Sequence, residues 1–318
     1  MAVTQEETDW FRSTFEGLVG NIESVLFGKQ HAVKLALTAI VARGHLLLED
    51  VPGTGKTSLA RAIARTISGS TSRIQFTPDL LPGDVTGMTV YDQKTGQFDF
   101  HHGPIFANIV LADEINRASP KTQSALLEAM EEGSVTVDGL TRRLPPPFMV
   151  IATQNPVEQA GTYRLPEAQL DRFIMRSSIG YPDHTSMIRI ISEASDLPDP
   201  EAVITPQTLV TMADVARAVY IDPLVTDYIA RVIEATRTAV QVALGASVRG
   251  GIALARTTRV WAASQGRSFV TPDDVKALAG PVLAHRLILD PEAEFDGVTT
   301  DAVVAQILLD VPPPHKHA

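Results

Sequence analysis

Residues 50–58 read Asp-Val-Pro-Gly-Thr-Gly-Lys-Thr-Ser, and farther along an apolar run, 109–112, ends in Asp113-Glu114. A lysine and a hydroxyl placed directly behind a glycine loop are the groups that hold a polyphosphate. Glycines allow backbone N–H groups to turn toward an anion, and the start of a following helix adds partial positive charge. Pro52, Gly53, Thr54, Gly55, Lys56, Thr57 and Ser58 would form that cradle, with Lys56 reaching the β- and γ-phosphates and the Thr57 hydroxyl ligating Mg²⁺. Asp113 would hold the same ion through water, and Glu114, one residue farther on, would polarise an attacking water. A general base of that kind contributes ~10²–10⁴ in rate. The general loop pattern asks for glycine at position 50, and Asp50 stands there instead.

Chemistry of this kind needs a strand before the loop and a helix after it. Leu46, Leu47 and Leu48 supply the first, and Leu59, Ile63 and Ile67, four apart, mark one face of a helix over 56–67. In a parallel sheet the carboxyl ends of adjacent strands line one crevice, so 109–112 must lie near 46–48 for the acids to face the lysine. A further apolar strand, 148–152, leads to Asn155. Its amide could orient the water near the γ-phosphate; a turn asparagine before Pro156 fits the same spacing. Arg172 follows a short helix and Arg249 opens another. Composition and spacing leave open whether each is a surface arginine or a charge on the phosphates, where an arginine finger is worth ~10³–10⁵ in turnover.

The remaining pattern is that of an α/β core followed by helices. An amphipathic helix over 8–26, carrying Trp10, Phe11, Phe15, Leu18, Val19, Ile22 and Leu26, precedes a second that runs to about Arg43. Short strands are expected over 73–76 and 174–179. Two hairpins interrupt the alternation, one at 88–100 around Asp92–Gly96 and one at 134–144 around Asp138-Gly139. Ser119-Pro120 starts a helix that Gly133 stops. A proline-rich, acidic stretch over 195–206 reads as a linker. Beyond it come Thr205-Pro206 and Thr271-Pro272 as helix starts, helices over about 223–243 and 248–265, and a last helix over 300–309 where a strand is also compatible. Trp10 and Trp261 are expected in the core.

Several classes of function are excluded. The 318 residues contain no cysteine, hence no disulfide or thiolate metal site, which fits a cytosolic, reducing setting. No apolar run reaches the ~18 residues of a membrane span, and the acidic N-terminal stretch is no secretory signal. Lys and Arg number 27 against 37 Asp and Glu, a net charge of −10 that argues against a sequence-independent nucleic-acid surface. His101-His102 and the tail His315 and His317 lack partners at metal-ligand spacing.

Long segments of the chain resemble the MoxR family of AAA+ ATPases: EDVPGTGKTSLARAIA, LPGDVTG, GPIFANIVLADEINRASPKTQSALLEAMEE, MVIATQNPVEQAGTYRLPEAQLDRF, GASVRGG and VLAHRLILDPEAEFDGVTTDAVVAQILLDVPPP. The resemblance implies a P-loop core over residues 1–200 with a parallel five-stranded sheet and two hairpin insertions, then a small all-α lid over 201–318. It assigns Lys56 and Thr57 to Walker A, Asp113 and Glu114 to Walker B, Asn155 to sensor 1, Arg172 to a trans-acting arginine finger and Arg249 to sensor 2. It accommodates Asp50 as a variant. The resemblance further implies a cytoplasmic, Mg²⁺-dependent ATPase that forms a ring, a hexamer by expectation. Such a ring would act as a chaperone-like remodeller of a client together with a partner carrying a von Willebrand factor A domain. Rival expectations are a chelatase-like motor for metal insertion, a low-turnover nucleotide switch and, against the charge balance, a DNA-directed motor. Two departures stand out. Arg164 occupies a position that is usually proline, which makes it a second candidate for the trans arginine. Val248 and Gly250 flank Arg249 in place of proline and alanine, and a glycine there is expected to loosen the lid by up to ~1 kcal/mol.

Overall fold

Leu46, Leu47 and Leu48 are completely buried, and they form β1 (Leu46–Glu49) inside a sheet whose strands are covered on both faces. The computed structural model describes residues 3–51, 53–154, 163, 165–193 and 200–314. In chain order, α1 (Gln5–Glu23) and α2 (Gln30–Val41) precede β1, and α3 (Lys56–Thr66) follows the glycine loop. Then come β2 (Thr71–Gln75), α4 (Pro82–Thr86), the hairpin β3 (Gly87–Asp92) and β4 (Gln97–His102), and β5 (Ile109–Asp113). Next are α5 (Pro120–Glu132), the hairpin β6 (Ser134–Val137) and β7 (Leu140–Arg143), β8 (Met149–Gln154), α6 (Glu167–Leu170), β9 (Met175–Ser177) and α7 (His184–Glu193). The remainder comprises α8 (Pro206–Ala218), α9 (Pro223–Thr238), β10 (Val242–Leu244), α10 (Val248–Ser264), α11 (Pro272–Leu283), β11 (Ile288–Leu289), α12 (Pro291–Phe295) and α13 (Thr300–Asp310).

Five strands form one sheet in the order β2-β5-β8-β1-β9. Parallel registers align Leu46 with Ile151 and Ile151 with Leu111, so β8 is flanked by β1 and β5 with all three carboxyl ends at one edge. The expected parallel α/β core is therefore observed, and both hairpins stand off it as separate two-stranded ribbons. The local signals act as expected. Ser119 caps α5 by accepting from the Thr122 N–H at 3.3 Å, and Gly133 ends it in the left-handed conformation. Asp138 and Gly139 both take positive φ in the tight turn of the second hairpin. Gly87, at φ +91°, is demanded by closeness, because any Cβ there would collide with the His101 carbonyl across the first hairpin.

The chain divides into two compact units, one comprising Leu18–Arg172 and Ser177–Val210, the other Met1–Gly17, Phe173–Arg176 and Thr211–Ala318. In the second, α9, α10, α11 and α13 pack on one another, and a capping box closes the start of α11: Asp274 accepts from the Thr271 N–H at 2.8 Å and from Arg267 at 2.8 and 2.6 Å. No helix of the described residues is long and apolar enough to cross a membrane.

Four sequence expectations change. The helix over 223–243 stops at Thr238; Ala239 turns extended, and Val242–Leu244 pairs antiparallel with Ile288–Leu289, so the helical unit carries a small ribbon. The run 239–244, Ala-Val-Gln-Val-Ala-Leu, is compatible with either state, and the partner strand decides. The strand expected over 174–179 is only Met175–Ser177, because the Ile179 and Gly180 N–H groups bond a carboxylate instead of a neighbouring strand. The two tryptophans are not in the core: Trp10 is 38% exposed, on the outer flank of the face that buries Phe11, Phe15 and Leu18, and Trp261 is only half-buried. Within 195–206, the described part is tied down rather than free, since the Val203 and Ile204 N–H groups both donate to the Thr66 carbonyl.

Candidate nucleotide site

The loop between β1 and α3 turns on two glycines with positive φ, Gly53 at 83° and Gly55 at 95°, and the space over Gly53 is open. Such angles let the backbone reverse without a Cβ clash, as an anion-binding nest requires. Lys56 Nζ donates to the Asp50 carbonyl at 3.0 Å and the Val51 carbonyl at 3.4 Å, which folds the ammonium back over the loop. Thr57 and Ser58, in the first turn of α3, are exposed, while Thr54 is buried.

Asp50, which replaces the pattern's glycine, is itself buried. Its carboxylate accepts from the Ile179 N–H at 2.5 Å and the Gly180 N–H at 3.0 Å, and its own N–H donates to the Gln154 carbonyl at 3.2 Å. A buried carboxylate is tolerated because backbone donors satisfy both oxygens.

Asp113 ends β5 at the level of Thr153 on β8, and Leu48 pairs with Thr153 from the other side. Two strand spacings, roughly 10 Å, therefore separate the β1 and β5 ends that carry the loop and the acids. The Thr153 hydroxyl, fully buried, donates to Asp113 Oδ1 at 2.9 Å and accepts from the Glu114 N–H at 2.9 Å. Glu114 sits at φ 55°, ψ 49°, a left-handed conformation uncommon for a side chain of that size, with the Thr153 bond bracing it. From β2, Arg73 contacts Asp113 Oδ2 through Nε at 2.9 Å and Nη2 at 2.7 Å, and Gln75 Nε2 donates to Glu114 Oε2 at 2.9 Å. Arg117 Nη1 reaches the same Glu114 oxygen at 3.0 Å.

Arg172 pairs with Glu131 of α5, Nη2 to Oε2 at 3.0 Å. Arg249 is exposed in the first turn of α10, which Ser247 caps by accepting from the Arg249 N–H at 3.1 Å. Its neighbour Gly250 is buried in a tight spot: a Cβ would lie 3.2 Å from Arg286 Cδ and 3.3 Å from Leu283 Cδ2, so those side chains would have to give by a few tenths of an ångström. That glycine lets α10 approach the end of α11 closely, a packing role that the sequence expectation of a looser lid did not include. Pro52, Asn155 and Arg164 lie outside the described residues.

The donor set suits a magnesium–triphosphate. Among the described residues no three His, Cys, Asp or Glu side chains converge as a metal cage. Mg²⁺ in phosphate chemistry needs only one or two protein oxygens, completing its shell with water and substrate phosphate. An exposed hydroxyl on Thr57 and an inward carboxylate on Asp113 are of that kind. Thr153, Arg73 and Gln75, which hold the two acids, escaped sequence reasoning. The signals were a lone hydroxyl near the end of an apolar strand and two polar residues flanking Ile74 at period two.

Known proteins resemble this chain over nearly its whole length. Residues 45–175 match the family model described as "ATPase family associated with various cellular activities (AAA)", and residues 234–307 match that of the AAA lid domain. The chain is 48% identical to the uncharacterized protein YeaC of Bacillus subtilis, over 93% of each chain. It is 39% identical to Chaperone MoxR1 of Mycobacterium tuberculosis, over 96% of this chain and 84% of the relative. A crystal structure from Cytophaga hutchinsonii superposes with a TM-score of 0.91 at 37% identity, covering 98% of both chains.

Proposed function

Given that the chain belongs to the MoxR family of AAA+ ATPases and hydrolyses ATP, we propose that it spends each turnover on remodelling or maturing a client protein. The observation that carries the nucleotide chemistry in this reading is the gathering of the glycine loop, Asp113 and Glu114 at one sheet edge, braced through Thr153 and Asp50. Pro52, Gly53, Thr54, Gly55, Lys56, Thr57 and Ser58 would cradle the triphosphate. Thr57 and Asp113 would hold Mg²⁺, which when bound neutralises charge on the phosphate oxygens. Glu114 would polarise the attacking water, and Asn155 would orient it. For Glu114 to do so, it must turn away from Gln75 and Arg117.

In this reading residues 1–200 act as the core and 201–318 as the lid. Subunits form a ring, with six as the expected number, and Arg172 serves the neighbour's nucleotide once it leaves Glu131, with Arg164 as the alternative. Arg249 would sense the phosphates from the lid. Lid motion on hydrolysis is then the output, delivered in the cytoplasm to a client through a partner bearing a von Willebrand factor A domain. The family likeness and the name of the mycobacterial relative support this; the acidic net charge argues against nucleic acid.

The test is capture with Glu114→Gln in ATP, alongside Lys56→Ala. The first variant should hold nucleotide and enrich a defined partner, and the second should bind neither. Identical captured proteins for both variants would sink a nucleotide-driven client cycle.

A further inference from the structure

On β2, Arg73 and Gln75 flank Ile74, which is buried, so both polar side chains leave the strand on the other face. They meet the two acids in a continuous series. Arg73 grips Asp113 Oδ2 with Nε and Nη2, its Nη2 also donates to Gln75 Oε1 at 3.2 Å, and Gln75 Nε2 donates to Glu114 Oε2. Thr153 occupies Asp113 Oδ1. Both oxygens of the inward carboxylate are thus engaged, and the one without the hydroxyl faces the full positive charge of the Arg73 guanidinium. The Asp113 side chain is 10% exposed and that of Arg73 is 56% exposed, so the acid is held in place while its counter-ion has room to leave.

A divalent ion approaching Asp113, directly or through one of its waters, needs an oxygen of that carboxylate. Thr153 is fixed in the strand and also supports the Glu114 backbone, which leaves Oδ2 as the oxygen to be yielded. Two cations cannot share that oxygen at contact distance without strong repulsion in a partly buried site. We infer that Arg73 is a resident counter-cation that competes with the divalent metal for Asp113, and so sets the metal concentration at which nucleotide is bound in its metal complex. This rests on Asp113 being the metal-side acid. It has a corollary for Glu114: once the guanidinium leaves Asp113, Gln75 loses the donor that fixes its amide orientation, and its grip on Glu114 slackens. Arrival of the metal would then be felt at the second acid without any contact between them.

The test uses the full-length protein and a fluorescent ADP analogue, with binding followed as Mg²⁺ is titrated, and a parallel measurement of bound Mn²⁺ by electron paramagnetic resonance. Arg73→Gln should lower the midpoint of the metal dependence by about threefold to tenfold, the span expected for removing a half-exposed, salt-screened cation. Arg73→Lys, which keeps the charge but loses the two-point grip, should fall between. The variant's binding of the analogue in EDTA, unchanged from wild type, certifies its fold. The shift should vanish in an Asp113→Asn background. A midpoint in Arg73→Gln that is unchanged or higher, or an equal shift without the Asp113 charge, overturns the competition. A wild-type midpoint that Asp113→Asn leaves untouched overturns the prior assignment of Asp113 as well, so the two failures are separable.

Discussion

Replacing Thr153 by valine removes one hydroxyl and preserves the shape of the side chain, which isolates the polar part of its contribution. That hydroxyl is fully buried and makes two bonds of 2.9 Å, one given to the Asp113 carboxylate and one received from the Glu114 N–H. Valine leaves a part-buried N–H and a buried, charged oxygen each short of a partner. Every such orphan costs about 1–3 kcal/mol, with the charged one toward the upper end, for a total of about 2–5 kcal/mol. At about 2–4 °C per kcal/mol for a domain of this size, the melting temperature of the nucleotide-free protein should fall by roughly 5–15 °C. Thr153→Ser is the control: both bonds survive, and a lost methyl costs about 1 kcal/mol. Calorimetry on the three proteins decides. Should valine and serine melt together, the hydroxyl bridge contributes nothing, and the account of how the two acids are held is wrong. Turnover supplies an independent readout, because a misaimed Asp113 and an unbraced Glu114 should depress it in the valine variant well beyond the serine one.

Mixing Arg172→Ala subunits with Glu114→Gln subunits should partly restore ATP turnover, since a mixed interface can unite an intact arginine with an intact carboxylate; no recovery at any ratio, with mixed rings demonstrated, would remove Arg172 from a role in trans. Gly87→Ala forces a side chain into a positive-φ position against the His101 carbonyl, at a cost of about 2–5 kcal/mol from strain and overlap combined. Proteolysis within the 87–102 hairpin should accelerate, whereas cleavage elsewhere should not. His285 is buried in the helical unit with its pKa held well below the usual imidazole value, first by burial and then by the neighbouring Arg286 charge. A histidine that stays neutral when folded but protonates when unfolded contributes stability above about pH 6.5, and that contribution drains away as the pH falls toward its folded pKa. Thermal unfolding from about pH 7 down to 5 should show this slope, and His285→Gln should flatten it.

What could be read in advance was what local spacing encodes. The glycine loop, the acid pair at a strand end, the capped helices and both hairpins depend on residues within a few positions of each other, and each formed where its local chemistry required. Thr153, Arg73 and Gln75 were not legible because their importance comes from register across three strands: nothing near Thr153 in the chain announces that Asp113 and Glu114 will sit beside it. The ribbon of β10 and β11 was missed for the same reason, its partner being far along the chain. Trp10 misled in the opposite way, as helical period alone cannot distinguish the centre of an apolar face from its margin.

Asp50 departs from the general loop pattern as a variant the family resemblance accommodates, and in the structure it works as a latch. By gripping the two amides beyond β9, it closes a loop of chain that begins in the phosphate cradle and ends just ahead of α7. Any movement of Asp50 would therefore be felt first at Ile179 and Gly180, which those two bonds tie to it. Where glycine would leave that seam open, this chain has sewn it shut.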